Sequence, residues 1–529
     1  MSVTWFFVVV LLLVSLVGCH DETETVTEKP LPAGQPLALV EATIADIQAA
    51  ILNGSTTCEQ VVTGYLARID TYDQSLGINA ITVRNSAALA TARATDARLA
   101  AGETLGPLFC APLLVKDNYD THDMVTSGGS IALINNYPPD DAFMVRRLRE
   151  AGAIIIAKTN MAEWAFSPRQ TVSSSFGRTA NVYDPSRVPA GSSGGTASGV
   201  AASFGVAGMG SDTGNSIRGP ASHLALFGIR STIGLTSRDG IIPLAFDRDI
   251  AGPLTRTVED GAKIFNTIAG YDANDPLTVE GMREVDYTKF LHKNGLKGAR
   301  IAILGALLDT DGKDPEIASL FAAAVNDLRQ AGALVLEDID IADLSAHLND
   351  DSFFCPRFRY DMWVYLNSLG DEAPFLDVNT LLASGQFDPT AERGLNYFKD
   401  QPLDVAPDNW QLACPTWPHH PQRNAFARDV VAAMDAQNVD ILIYPSWTHP
   451  PAPIEQADAE YKGDNSQLIA PATGLPAVTV PMGFSQGKWP AGLQMLARPY
   501  AEGLLFKYAY AYEQATKHRS SPPGFAELQ

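Results

Sequence analysis

Apolar positions over residues 38–101 recur every three or four residues. That spacing predicts three amphipathic helices, one opening at Thr43 and stopping at Gly54, one over 57–71 and one over 85–101. The pattern then changes. An unbroken apolar run ends at Lys116 and reads as a strand. A helix over 140–151, stopped by Gly152, leads into a buried strand over 154–157. Residues 300–304, 315–331 and 333–340 read strand, helix, strand, which predicts an α/β sheet. A further strand is expected at 440–445 and a last helix up to Thr516. Residues 345–425 are less regular and rich in aromatics, Pro and Asp. No internal repeat is visible.

One stretch obeys neither period. Residues 190–220 read AGSSGGTASGVAASFGVAGMGSDTGNSIRGP. It holds two glycine–serine clusters, Gly191-Ser192-Ser193-Gly194-Gly195 and Gly214-Asn215-Ser216, with Asp212 between them. Side chains this small bury little, so the value of the stretch lies in its backbone. Glycine admits positive φ and close approach of another group. Successive N–H groups aimed at one point form an anion-binding concavity. A serine hydroxyl beside such a concavity supplies the parts of an acyl-transfer site. Two other readings use the same residues. A lone GSSGG is a flexible linker. Gly191–Gly195 also fits G-x-S-x-G, the elbow of α/β-hydrolases, with Ser193 as nucleophile and His419, His420 or His449 as partner. That elbow needs a preceding strand, and residues 184–189 read as a loop.

Composition narrows the class. The chain has 529 residues, of which 46% are hydrophobic and 19% charged, enough for a large core. Its net charge of −22 argues against nucleic acid as partner, since phosphate binding needs a basic patch. The apolar run 5–17 is too short to span a bilayer and fits the core of a signal peptide, although Met1–Thr4 carries no Lys or Arg. The ending Leu16-Val17-Gly18-Cys19 resembles a bacterial lipobox. The expectation is a signal peptide over 1–18, lipidation of Cys19, and an acidic, Pro-containing tether over 19–37 that joins a membrane to the domain over 38–529. The location would then be the cell envelope. No Cys/His spacing resembles a zinc site. An envelope location permits disulfides. Of the possible pairings, Cys355–Cys414 within one irregular region is favoured, with two unpaired buried thiols as an equal alternative.

The central stretch resembles the signature of the amidase signature enzymes, serine hydrolases with a Ser-Ser-Lys triad. Further matching segments are Gly106–Asn118, Thr126–Ser130, Lys158–Trp164, Gly228–Gly240, Asp249–Asp260, Gly474–Gly483 and Gly492–Pro499. They spread from about residue 40 to 515, which favours one large domain. The resemblance implies an α/β fold with a central mixed β-sheet covered by helices on both faces, and an amidase without metal or cofactor that acts as a monomer or homodimer on a small-molecule amide. It makes Ser216 the nucleophile, Ser192 the bridging serine and Lys116 the base, with a cis peptide at Gly191–Ser192. It assigns the oxyanion hole to the backbone N–H groups of Thr213, Gly214, Asn215 and Ser216. Asn215 stands where the family usually has glycine. Asn tolerates a left-handed backbone, so the hole is expected to survive, with a narrower acyl side. Asp212 and Arg218 read as scaffold. A base must be neutral to accept a proton, so Lys116 must be buried. Esterase or carbamate hydrolase activity with the same triad, or a non-catalytic lipoprotein keeping the fold, are the alternatives. Residues 345–425 are the part expected to shape the substrate entrance.

Overall fold

The apolar run before Lys116 is a strand, and it lies third from one edge of an eleven-stranded sheet in the computed structural model, which describes residues 1–2, 37–308 and 312–528. In chain order the strands are β1 (Ile81–Arg84), β2 (Pro112–Lys116), β3 (Ile154–Thr159), β4 (Ala207–Asp212), β5 (Phe227–Arg230), β6 (Ile250–Thr255), β7 (Arg300–Ile303), β8 (Leu334–Leu336), β9 (Ile441–Pro445), β10 (Ala477–Ser485) and β11 (Trp489–Ala497). Across the sheet they run β1-β3-β2-β4-β6-β5-β10-β11-β9-β7-β8. β3, β2 and β4 are parallel neighbours, as are β9, β7 and β8, and the remaining pairs are antiparallel. The sheet is therefore mixed.

Period-two alternation shows how its two faces are covered. Ile441 and Ile443 of β9 join the main core with Ile317, Phe321 and Leu328 of helix Pro315–Gln330 and with Phe506 of helix Glu502–Thr516. Leu442 and Tyr444, pointing the other way, join a second core with Phe426, Val430 and Met434 of helix Pro421–Ala436. The early helices form where the spacing predicts them, Ile44–Leu52, Cys58–Tyr72 and Ala88–Ala100. Thr43 and Thr57 each close a capping box at the start of the first two. Strand β1 has no counterpart among the predicted elements, because four residues are too few to show alternation.

Residues 345–425 are more ordered than their sequence suggests. They contain the helices Phe358–Ser368, Asn379–Ser384 and Pro389–Phe398, which bury a core of their own against Leu133, Trp164 and Ile242. They are short, and only the last opens on a side-chain cap, Asp388 before Pro389, so no helical period builds up along the sequence. A disulfide joins Cys355 to Cys414 and closes this cap, as the favoured pairing expects. A second, Cys58–Cys110, ties an early helix to the loop before β2 and is not signalled by the sequence. Of the segment assigned to signal peptide, Cys19 and tether, residues 3–36 lie outside the described residues. Among the described residues no helix is long and apolar enough to cross a membrane.

Candidate active site

Parallel pairing of β2 with β4 brings two distant parts of the sequence together. Leu113, Leu114 and Val115 pair with Ala207, Gly208 and Met209, so Lys116 and Ser211 emerge side by side at the carboxyl ends of adjacent strands. Open α/β sheets bind ligands at such an edge. Helix Gly194–Ala201 packs close above. A Cβ on Gly208 would stand 2.5 Å from Thr196 Cγ2, so only glycine allows that approach.

Lys116 is wholly buried, and its Nζ donates to Ser192 Oγ at 2.7 Å and to Ser211 Oγ at 2.8 Å. Burial pushes its pKa down to about 7, although the charges of Asp249 and Asp212 pull it upward. Hydroxyls give a lysine no countercharge, so this setting favours its neutral form. Lys158 shows the contrast. It is equally buried, but it donates to Tyr119 O and to Thr126 Oγ1 at 2.8 Å and has Asp117 Oδ1 at 3.8 Å. Burial lowers its pKa as well, opposed by the charges of Asp117 and Asp120; what sets it apart is a carboxylate close to its ammonium. Ser211, also bound by Asn118 Nδ2 at 3.0 Å, is a member of the site that sequence reasoning misses. Its only signal is its place one residue before Asp212.

The Gly191–Ser192 peptide is cis. Ser193, offered as the alternative nucleophile, is engaged on β4: its Oγ donates to Ser211 O at 3.1 Å and accepts from Ser211 N at 3.3 Å. It follows a loop, not a strand. His420 and His449 make their ring contacts with Ser352 O and Gly312 O, far along the chain from Ser193.

Ser216 lies in the loop that joins β4 to helix Arg218–His223. The backbone of this loop is polarised by its surroundings. Arg248 Nε donates to Thr213 O at 3.0 Å, Arg218 Nη2 to Gly214 O at 2.6 Å, and Gly219 N to Asn215 O at 2.7 Å. Three successive carbonyls are thus bound on the scaffold side. Among the described residues, the N–H groups of Thr213, Gly214, Asn215 and Ser216 donate to no protein acceptor. These four amides are therefore free to donate to a bound group. Asp212 anchors the loop by accepting from Ile217 N at 3.2 Å, Arg218 Nε at 3.1 Å and Arg230 Nη1 at 3.1 Å. Burial alone would raise its carboxyl, but the two guanidiniums outweigh that and hold it below the usual range. Asn215 does not take the left-handed backbone allowed for it.

Ser216 opens onto a cavity of about 150 Å³ lined by Phe166, Pro168, Leu244, Arg248, Phe354 and Gln467. Phe166, Pro168, Leu244 and Phe354 also wall a groove of about 750 Å³ that runs beneath helix Pro389–Phe398 to Arg169, Arg393 and Tyr397. No hydrogen bond joins Ser216 to Ser192 among the described residues.

A family model for amidases matches residues 60–506. The chain belongs to the amidase signature family. It is 31% identical over 505 residues to a glutamyl-tRNA(Gln) amidotransferase subunit from Rippkaea orientalis, covering 91% of this chain and 99% of that one. The corresponding protein of Moorella thermoacetica is 36% identical over 449 residues, with 82% and 89% covered. Among solved amidase signature structures, native peptide amidase from Stenotrophomonas maltophilia superposes with a TM-score of 0.81 at 34% identity, covering 91% of this chain and 98% of that one. The single α/β domain with its mixed sheet flanked by helices is the architecture of these amidase signature structures.

Proposed function

We propose that this chain hydrolyses a linear carboxylic amide to an acid and an amine or ammonia, through an acyl-enzyme on Ser216. The observation that carries the reading is the buried Lys116, 2.7 Å from Ser192 and without an ion-pair partner among the described residues. Keeping a lysine at a pKa of about 7 instead of 10.5 costs about 5 kcal/mol of folding free energy. A fold kept only for binding has no use for that cost.

Ser216 Oγ attacks the amide carbon while its proton passes to Ser192 Oγ and the Ser192 proton passes to Lys116 Nζ. The oxyanion that forms sits against the free N–H groups of residues 213–216, an interaction worth several kcal/mol in the transition state. On collapse Lys116 returns the proton through Ser192 to the leaving nitrogen, and the C–N bond breaks. Water then attacks the Ser216 ester by the same relay and releases the acid. Each proton in this sequence passes between these three side chains, the leaving nitrogen and the attacking water.

The substrate class we infer is a peptide-like amide with a small leaving group. The support is the likeness to peptide amidase and the layout of the site, a small cavity at Ser216 opening into a long, partly aromatic groove. An ester or carbamate of the same shape would use the same relay. We also infer export with lipidation at Cys19 and function as a monomer or homodimer. The sequence around Cys19 supports the first, and two disulfides suit an oxidising compartment. The test is ammonia release from a panel of C-terminally amidated peptides, set against the matching methyl esters and aryl amides. Turnover of peptide amides above the others supports the reading. Turnover of esters alone would replace it with an esterase.

A further inference from the structure

The loop that carries Ser216 is gripped from the far half of the chain. Asn215 is fully buried, and its Nδ2 donates to Asp464 Oδ2 at 2.8 Å and to Pro168 O at 3.3 Å. Both neighbours are acceptors, which fixes the amide nitrogen toward them. Tyr461 donates its hydroxyl proton to the same Oδ2 at 2.9 Å, and Ser466 N donates to Oδ1 at 3.2 Å. Asp464 is in turn tied to the end of β9, since Asn465 Nδ2 donates to Pro445 O at 3.0 Å and Ser466 Oγ to Ser446 O at 3.1 Å. A Cβ on Gly219 would stand 2.6 Å from Asn215 Nδ2, so the helix after Ser216 is cut back to admit this side chain.

We propose that Asp464 is a positioning residue for the oxyanion-binding loop, acting through the Asn215 carboxamide to hold the 215 and 216 amides at the angle that the tetrahedral oxyanion requires. This rests on the acyl-transfer reading of Ser216. The site is built from two halves of the sequence, and the contact between them bears on the residue next to the nucleophile. A hydrogen bond between buried groups, costly to leave unmade, is strong enough for this, and its loss leaves the loop free to turn its amides away.

The experiment compares Asp464→Ala, Asp464→Asn, Asn215→Gly and the double variant Asn215→Gly/Asp464→Ala. It follows the rate at which a fluorophosphonate labels Ser216, and kcat and KM for one amidated peptide. Asp464→Ala is expected to slow labelling and lower kcat at least tenfold with KM within twofold. Asp464→Asn, whose side-chain oxygen still accepts from Asn215, should stay within fivefold of the unaltered protein. Asn215→Gly should match Asp464→Ala, and the double variant should be no slower than either. Labelling of Asp464→Ala within twofold of the unaltered protein, or additive losses in the double variant, would overturn the proposal. Should Asp464→Ala fail to fold, Asn215→Gly decides alone, because a loss below twofold there removes the route through the carboxamide. An unaltered protein that takes no label at Ser216 rejects the nucleophile assignment itself, and is thereby distinguished from a failure of the Asp464 clamp.

Discussion

Replacing Lys116 by methionine separates the stability of this protein from its chemistry. The side chain is wholly buried among hydroxyls, and its pKa lies near 7 against about 10.4 for a lysine in the unfolded chain. Between those two values the unfolded chain holds one more proton than the folded one. The folded state therefore gains stability as pH rises through this window, by about 1.4 kcal/mol per pH unit, and below pH 7 it bears the whole cost of about 5 kcal/mol. Lys116→Met lacks this titration. Urea unfolding of both proteins at pH 7.5 and pH 9, with disulfides intact, should show the unaltered protein gaining about 2 kcal/mol on the variant. The comparison cancels every other titrating group. Parallel stability profiles would mean that Lys116 is charged in the folded protein, and the base assignment would fail with it.

Three further outcomes follow from the same geometry. Activity should rise with pH through about 7, with a tenfold loss per unit below, because only neutral Lys116 accepts the proton; a flat kcat/KM profile from pH 5 to 9 would contradict this. Gly214→Ala would set a Cβ 2.0 Å from Gln467 Oε1, so kcat should fall more than tenfold, and Gln467→Ala should restore part of it in the double variant. Serine at both Cys58 and Cys110 opens a loop of 52 residues and should cost about 4 kcal/mol in urea unfolding while leaving kcat within twofold, since this disulfide lies outside the site.

The sequence discloses the reacting groups better than the frame that aims them. The two serines in glycine-rich turns are visible because the backbone there has an unusual composition over a short window, whereas Lys116 is legible only through the family resemblance, since a lysine at a strand end is ordinarily solvated. The Cys355–Cys414 pairing is favoured for a similar local reason. Ser211 does not show itself as a partner of Lys116, since that contact depends on the parallel register of β2 against β4. Asp464 and Gln467 reach the loop from about 250 residues downstream, with nothing in their own neighbourhood to mark them. The cap over 345–425 stays illegible because its helices are too short to show a period, and their apolar faces meet Trp164 and Ile242, which come from elsewhere in the chain. The Cys58–Cys110 link is non-local in the same sense.

The most direct test of the central claim is to label the purified protein with a fluorophosphonate and map the modified peptide. The account predicts the label on Ser216, and its loss in Lys116→Met while that variant stays folded. A label on Ser193, or one on Ser216 that survives removal of Lys116 at the same rate, would contradict it.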